Sequence, residues 1–235
     1  METIAERLKS VQTTIEQSTL EAHRPTKSVK LLAVSKTKPV SNIVQAYEAG
    51  QRLFGENYVQ EGIEKIQVLQ HLDDIEWHFI GPLQSNKTRL VAEFFDWVQG
   101  IDRIKIAQRL NDQRSNNKKL NICIQINIDN DPNKAGIKPS ELEHFADAIK
   151  HMPKLVLRGL MAIPKAQQTK QQQQVSFQHM ARIFESLKMQ HTALDTLSMG
   201  MSGDMCQAID AGSTMIRIGT AIFGKRELAK ETHAT

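Results

Sequence analysis

Cysteine is scarce in this chain of 235 residues: there are 2, Cys123 and Cys206. Two thiols make neither a disulfide framework nor a four-cysteine zinc site. Both sit within apolar runs, so buried free thiols in a reducing compartment are expected. Aromatic residues are only 5%, too few for the stacking platforms that hold single-stranded nucleic acid. No apolar run approaches the ~18 residues of a membrane span. The first residues, METIAERLKSVQTTIEQ, alternate apolar with charged side chains and contain no secretory apolar core. Charge of one sign is not in excess either. Thirty Lys and Arg stand against 26 Asp and Glu, for a net +4, and Lys118-Lys119 is the only basic doublet between Met1 and Leu120. A nucleic-acid footprint needs a clustered basic stripe. The expectation is a soluble, cytoplasmic protein with no nucleic-acid and no membrane partner. No long heptad or exposed apolar patch is legible, so a monomer is expected.

Several chemical signatures are missing as well. There is no His-x-x-x-His or Cys-x-x-Cys spacing for a metal, no G-x-S-x-G for a serine nucleophile, and no Walker loop. What is present is an ordinary globular composition, 40% hydrophobic and 24% charged. The chain is long enough to bury a core without staples.

Ile4, Leu8, Val11 and Ile15 recur at spacings of four, three and four, one face of an amphipathic N-terminal helix. Strand-like and helix-like segments then alternate. Strands are predicted at 31–36, 52–56, 77–81, 96–100, 120–129, 155–163, 196–200 and 215–219. In the fifth, Ile122, Ile124, Ile126 and Ile128 face one way and Cys123, Gln125, Asn127 and Asp129 the other. Between them, Pro39 and Ser41 open a helix that Gly50 closes, and Asp102 can cap the helix carrying Ile104, Ala107 and Leu110. Ser140 and Glu143 make a capping box, and Ser202 caps a helix over about 204–211 that Gly212 stops. The glutamine-rich tract at 167–174 is read as a solvated loop before a helix with Phe177, Ala181, Phe184 and Leu187 on one face. Eight β–α units without a linker break imply a parallel sheet in a single α/β domain spanning 1–235, a (β/α)8 TIM barrel with an extra N-terminal helix. An open doubly wound sheet is the alternative, but no G-x-G-x-x-G follows LLAVSK.

A barrel gathers its site at the C-terminal ends of its strands. That rule selects Lys36, Glu56, Asn57, His78, Asn127, Asp129, the stretch Ser198 to Ser202, and Arg217, Gly219 and Thr220. Lys36 follows four apolar residues, Leu31 to Val34. A desolvated lysine there can be a neutral amine for Schiff-base chemistry, or simply a side chain reaching solvent. SMGMSGDM (198–205) and RIGTAIFG (217–224) each run from a strand into a helix. They follow strands seven and eight, where barrels often bind phosphate, although ordinary glycine turns would read the same. Arg217 alternates with Met215 and Gly219 toward the barrel interior, where a guanidinium needs a phosphate, an internal ion pair or another acceptor. His78, between Trp77 and Phe79, reads as a satisfied core histidine.

LLAVSKTKP (31–39), FGENYVQE (54–61), WHFIGPLQSNK (77–87), GLMAI (159–163) and SMGMSGDM…AIDAGSTMIRIGTAIFG (198–224) together resemble the signatures of the pyridoxal phosphate homeostasis proteins. The resemblance runs in order from about residue 30 to 224. It implies a barrel similar to the N-terminal domain of alanine racemase, with pyridoxal 5′-phosphate as cofactor. By match to the motifs, Lys36 would be the Schiff-base lysine and Asn57 would lie beside the ring. Ser202, Gly219 and Thr220 would hold the phosphate, and Arg217 would face the pyridine nitrogen. The resemblance further implies a carrier that supplies the cofactor to apo-enzymes without established turnover, with a small amino-acid racemase as the alternative.

Overall fold

Eight parallel strands close into a barrel in sequence order, the last pairing back on the first through Leu32↔Arg217 and its neighbours. The structure is a computed structural model, and it describes residues 2–115, 117–165 and 168–225. The elements run α1 (Ile4–Glu21), β1 (Lys30–Val34), α2 (Val40–Glu48), β2 (Leu53–Glu56), α3 (Val59–Val68), β3 (Glu76–Phe79), α4 (Thr88–Phe94), β4 (Trp97–Ile101), α5 (Ile104–Gln113), β5 (Leu120–Ile126), α6 (Leu142–Lys150), β6 (Leu155–Ala162), α7 (Lys170–Lys188), β7 (Thr196–Ser198), α8 (Met205–Asp210), β8 (Met215–Ile218) and α9 (Thr220–Phe223). The open-sheet alternative is excluded by the β1–β8 pairing. Among the described residues no helix is long and apolar enough to cross a membrane.

The amphipathic face expected of the first helix is the buried one. Ile4, Leu8, Val11 and Ile15 face inward, and Thr3 and Glu6 cap the helix reciprocally. The helix packs on α2, α8 and α9, the helices beside the β8–β1 closure. The main apolar core lies between the strands and the helical ring and takes in Ile122, Ile124 and Ile126. The inside of the barrel differs. Trp97, Cys123 and Met161 form a separate small cluster there, alongside buried polar residues His78, Gln99, Ser198 and Arg217.

Several local expectations are corrected. β5 stops at Ile126, short of Asp129, because Asn127 turns the chain. Its amide donates to Asp131 O and its Oδ1 accepts the Asp131 N–H, while Asn130 takes a positive φ of 49°. Asp102 caps nothing: Arg103 is the N-cap of α5, without a side-chain bond, and Asp102 pairs with Arg103 instead. The Ser140–Glu143 box does not form. A 3₁₀ turn at Pro139–Glu141 precedes α6, and Glu141 accepts the Lys138 N–H. The glutamine tract from Lys170 onward is the opening of α7, with Thr169 and Gln172 as its capping box; Gln167 lies outside the described residues. Gln173 and Gln174 then donate to Asp204 and Asp210 of the neighbouring unit, so these amides are ties, not solvated loop. Cys123 is buried as expected, but Cys206 is exposed, because α8 turns it outward while Ala208 and Ile209 face the core.

Candidate functional site

Four strand ends deliver the six candidate residues to one cleft. Lys36 lies two residues past β1 and is half-buried; Asn57 directly follows β2. Ser202 sits in the loop between β7 and α8. Arg217 is the third residue of β8, and Gly219 and Thr220 join β8 to α9. All six line a cavity of about 370 Å³ whose walls also include Ile80, Met161 and Ile163.

The loop after β7 owes its shape to Gly200 and Asp204. Gly200 holds φ at +98°, and a Cβ there would meet the Ala208 Cβ at 2.6 Å. Asp204 is the N-cap of α8 and turns its carboxylate back to accept the Met201 N–H (2.5 Å) and the Gln173 amide (2.7 Å). Ser202 therefore does not cap α8, contrary to expectation. A carboxylate two residues nearer the helix takes over the loop's organisation, and Ser202 is exposed at the cleft. At α9, Ile222 and Phe223 donate the first helical bonds to Gly219 O, so the Thr220 and Ala221 N–H groups precede the ladder.

Arg217 is 5% exposed, and its hydrogen-bond partners among the described residues are neutral acceptors. Nη1 donates to Ser198 Oγ (2.7 Å) and Nη2 to Ala162 O (2.9 Å). Burial lowers its pKa to about 10, with the Asp204 charge opposing, so it stays cationic at neutral pH. The internal ion pair weighed from sequence is replaced by neutral acceptors. These acceptors continue as a chain. Ser198 Oγ donates to Gln99 Oε1 (2.6 Å), the Gln99 amide meets His78 Nδ1 (2.8 Å), and His78 Nε2 meets Glu76 Oε1 (3.0 Å). His78 also stacks on Trp97, centroids 4.9 Å apart. It is the satisfied core histidine expected, and burial pushes its pKa down despite the pull of Glu76.

Three other strand-end candidates, Glu56, Asn127 and Asp129, do not line the cleft. Asn127 organises its own turn. Asp129 accepts from Ser176 Oγ (2.5 Å), Gln168 Nε2 (3.0 Å) and the Lys165 N–H (2.6 Å), bracing the β6–α7 loop. Gln99 escaped the sequence reading, although a polar residue inside the run WVQGI was a usable signal. Lys65, treated below, carried no comparable mark beyond its place four residues after Glu61.

The donor set fits a phosphorylated, aldehyde-bearing ring. Among the described residues the buried Asn57 Oδ1 has no hydrogen-bond partner, so it can receive one from a ring substituent. A Cβ on Gly219 would sit 3.1 Å from Val34 O, a tight contact that glycine avoids at the start of α9. No cluster of metal-ligating side chains exists among the described residues.

A family model of the alanine racemase N-terminal domain matches residues 12–227. The chain is 56% identical to the pyridoxal phosphate homeostasis protein of Pasteurella multocida (strain Pm70), over 97% of this chain and 100% of that one. It is 53% identical to the protein of the same name from Escherichia coli (strain K12), over 98% and 100%. Among solved structures, PipY of Synechococcus elongatus PCC7942, with pyridoxal phosphate bound, is 38% identical and superposes with a TM-score of 0.81, covering 94% of this chain and 100% of that one.

Proposed function

The chain belongs to the family of pyridoxal phosphate homeostasis proteins, built on the alanine racemase N-terminal domain, and on that footing we propose that it binds pyridoxal 5′-phosphate in the cleft at the barrel mouth, holds it on Lys36 and supplies it to apo-enzymes. The observation that carries this reading is the convergence of a strand-end lysine, an orphaned amide oxygen, a buried guanidinium and a glycine–hydroxyl cradle in one cavity.

Bound there, the cofactor would supply an aldehyde, and Lys36 is the amine that would hold it. The Ser202 and Thr220 hydroxyls and the early N–H groups of α9 receive the phosphate dianion. Asn57 fixes one edge of the ring. Arg217, cationic and clamped by Ser198 and Ala162, would place a fixed positive charge at the ring nitrogen. That charge disfavours protonation of the nitrogen and so weakens the ring as an electron sink. A weakened sink suits either racemase-type proton transfer or carriage of the cofactor, and membership of the homeostasis family favours carriage.

Delivery is tested by mixing the loaded protein with an apo-form of a pyridoxal phosphate-dependent enzyme while a phosphatase destroys free cofactor. The carrier reading expects activity to return faster than from the same amount of free cofactor. Equal or slower recovery removes the delivery step.

A further inference from the structure

Both peptide groups flanking Lys36 are tied to one buried charge cluster. On the N-terminal side, Ser35 is fully buried. Its N–H donates to Gly55 O (3.0 Å) and its hydroxyl to Glu56 Oε1 (2.6 Å). Its carbonyl, which is bonded to the Lys36 nitrogen, accepts from Lys65 Nζ (2.8 Å). On the C-terminal side, the Thr37 N–H donates to Glu61 Oε1 (2.5 Å). Thr37 holds φ at +62°, a region that β-branched residues rarely occupy. Lys65 joins the two halves, reaching Glu56 Oε1 (2.8 Å) and Glu61 Oε1 (2.6 Å).

The cluster is a poor device for stability alone. Lys65 is 5% exposed and Glu56 fully buried, and taking such charges out of water offsets most of their attraction. Burial raises the Glu56 pKa, with Lys65 and Ser35 opposing, and among the described residues its Oε2 finds no hydrogen-bond partner. Apolar side chains of similar volume would serve a core as well. What they would not do is hold a carbonyl and an N–H on either side of one lysine, including a neighbour in the left-handed region.

We propose that Glu56, Glu61 and Lys65 are positioning residues, which fix the backbone on both sides of Lys36 and thereby aim its amine into the cleft. The inference rests on the reading of Lys36 as the cofactor anchor. It predicts that the cluster governs how fast the covalent bond to Lys36 forms, and not how tightly the ring and phosphate are held.

The test compares wild type with Glu61→Ala, Glu61→Gln and Lys65→Met in the full chain. Stopped-flow absorbance reads bond formation with pyridoxal 5′-phosphate. Equilibrium dialysis reads pyridoxine 5′-phosphate, which has the same ring and phosphate but no aldehyde. Glu61 is partly exposed, so Glu61→Ala keeps the test open even if Lys65→Met does not fold. Bond formation is expected to slow about tenfold or more in Glu61→Ala, as for a displaced reacting group. Pyridoxine phosphate affinity is expected to stay within about twofold of wild type, because that ligand never uses the misplaced amine. Glu61→Gln, which keeps an acceptor for Thr37, is expected to recover most of the rate. An unchanged rate in folded Glu61→Ala, or equal losses for both ligands, overturns the positioning role. Borohydride reduction of wild type separates the two failures. Without a reduced adduct on Lys36 the functional reading falls and takes this inference with it; with one, only the positioning role is at stake.

Discussion

Arg217 and His78 are the two residues whose surroundings say most about the barrel interior. Each is a charge-capable group sealed from water; Arg217 is satisfied by neutral acceptors and His78 by the Gln99 amide and the Glu76 carboxylate, so the polarity of the chain linking them is fixed. Gln99 Oε1 accepts from Ser198, leaving its amide to donate to His78 Nδ1, and His78 must then carry its proton on Nε2 toward Glu76. Burial depresses the His78 pKa. The unfolded chain therefore takes up this proton first as pH falls, and the stabilising contribution is lost below the ordinary histidine value of about 6.5. Long-range ¹⁵N–¹H NMR is expected to show a neutral Nε2–H ring at neutral pH, persisting as the solvent-exposed histidines titrate. A ring that titrates with them contradicts the buried chain. Thr220 carries a simpler expectation. In the proposed site its hydroxyl serves only the phosphate, so Thr220→Val should weaken pyridoxal phosphate more than pyridoxal, by ~1.5–3 kcal/mol for a hydrogen bond to a charged group. Equilibrium dialysis with both ligands decides it, and equal losses place the phosphate elsewhere. At this scale the sequence revealed that Arg217 was interior but not what received it, because a serine hydroxyl and a carbonyl on other strands leave no trace near residue 217.

Among the elements, periodicity was legible and capping only in part: Pro39 opens α2, and Gly50 and Gly212 follow the ends of α2 and α8 as expected. The apolar spacing of α1 and the isoleucine alternation of β5 translate directly into the buried faces. Helix starts were misread at Asp102, Ser140 and Ser202: Arg103 and Asp204 occupy the N-cap positions of α5 and α8 without a side-chain cap bond, and a 3₁₀ turn precedes α6. The glutamine tract misled by its composition. Glutamine is as good a helix former as lysine, and Thr169 with Gln172 starts α7 where a loop was expected. Thr169→Ala is accordingly expected to cost ~0.5–2 kcal/mol by urea denaturation. No measurable cost would return the tract to the status of loop. The same helix reaches Asp204 through Gln173, so α7 also steadies the loop that carries Ser202.

For the whole molecule, the β–α alternation pointed to a barrel, and the cleft was legible as a list of strand ends. Closure itself, Leu32 against Arg217, is a contact across most of the chain that no local pattern encodes. The same holds for the Lys65 cluster, in which strand and helix residues meet only after folding. The molecule also bears on turnover. Two-base racemisation needs an acid/base group on each face of the substrate α-carbon, and Lys36 can supply one. Tyr47 donates to Asp74 Oδ1 (2.6 Å) beneath the Arg52 guanidinium, at the N-terminal end of β2 and away from the mouth. Tyr58 is half exposed and lines a neighbouring groove with Pro82, Leu83 and Arg103, not the Lys36 cleft. Losing one positioned group typically forfeits ~10²–10⁴ in rate. No useful alanine racemisation is therefore expected by α-deuterium exchange with chiral analysis. Rapid D-alanine formation that disappears in Lys36→Ala would make the protein an enzyme.

The central claim, that Lys36 anchors pyridoxal phosphate at the barrel mouth, is tested most directly by borohydride reduction of the loaded protein followed by peptide mass mapping. The account predicts one reduced pyridoxyl adduct, on the peptide containing Lys36 and absent from Lys36→Ala. That variant should stay folded and retain weaker, phosphate-anchored binding. An adduct on another lysine, or none at all, contradicts it.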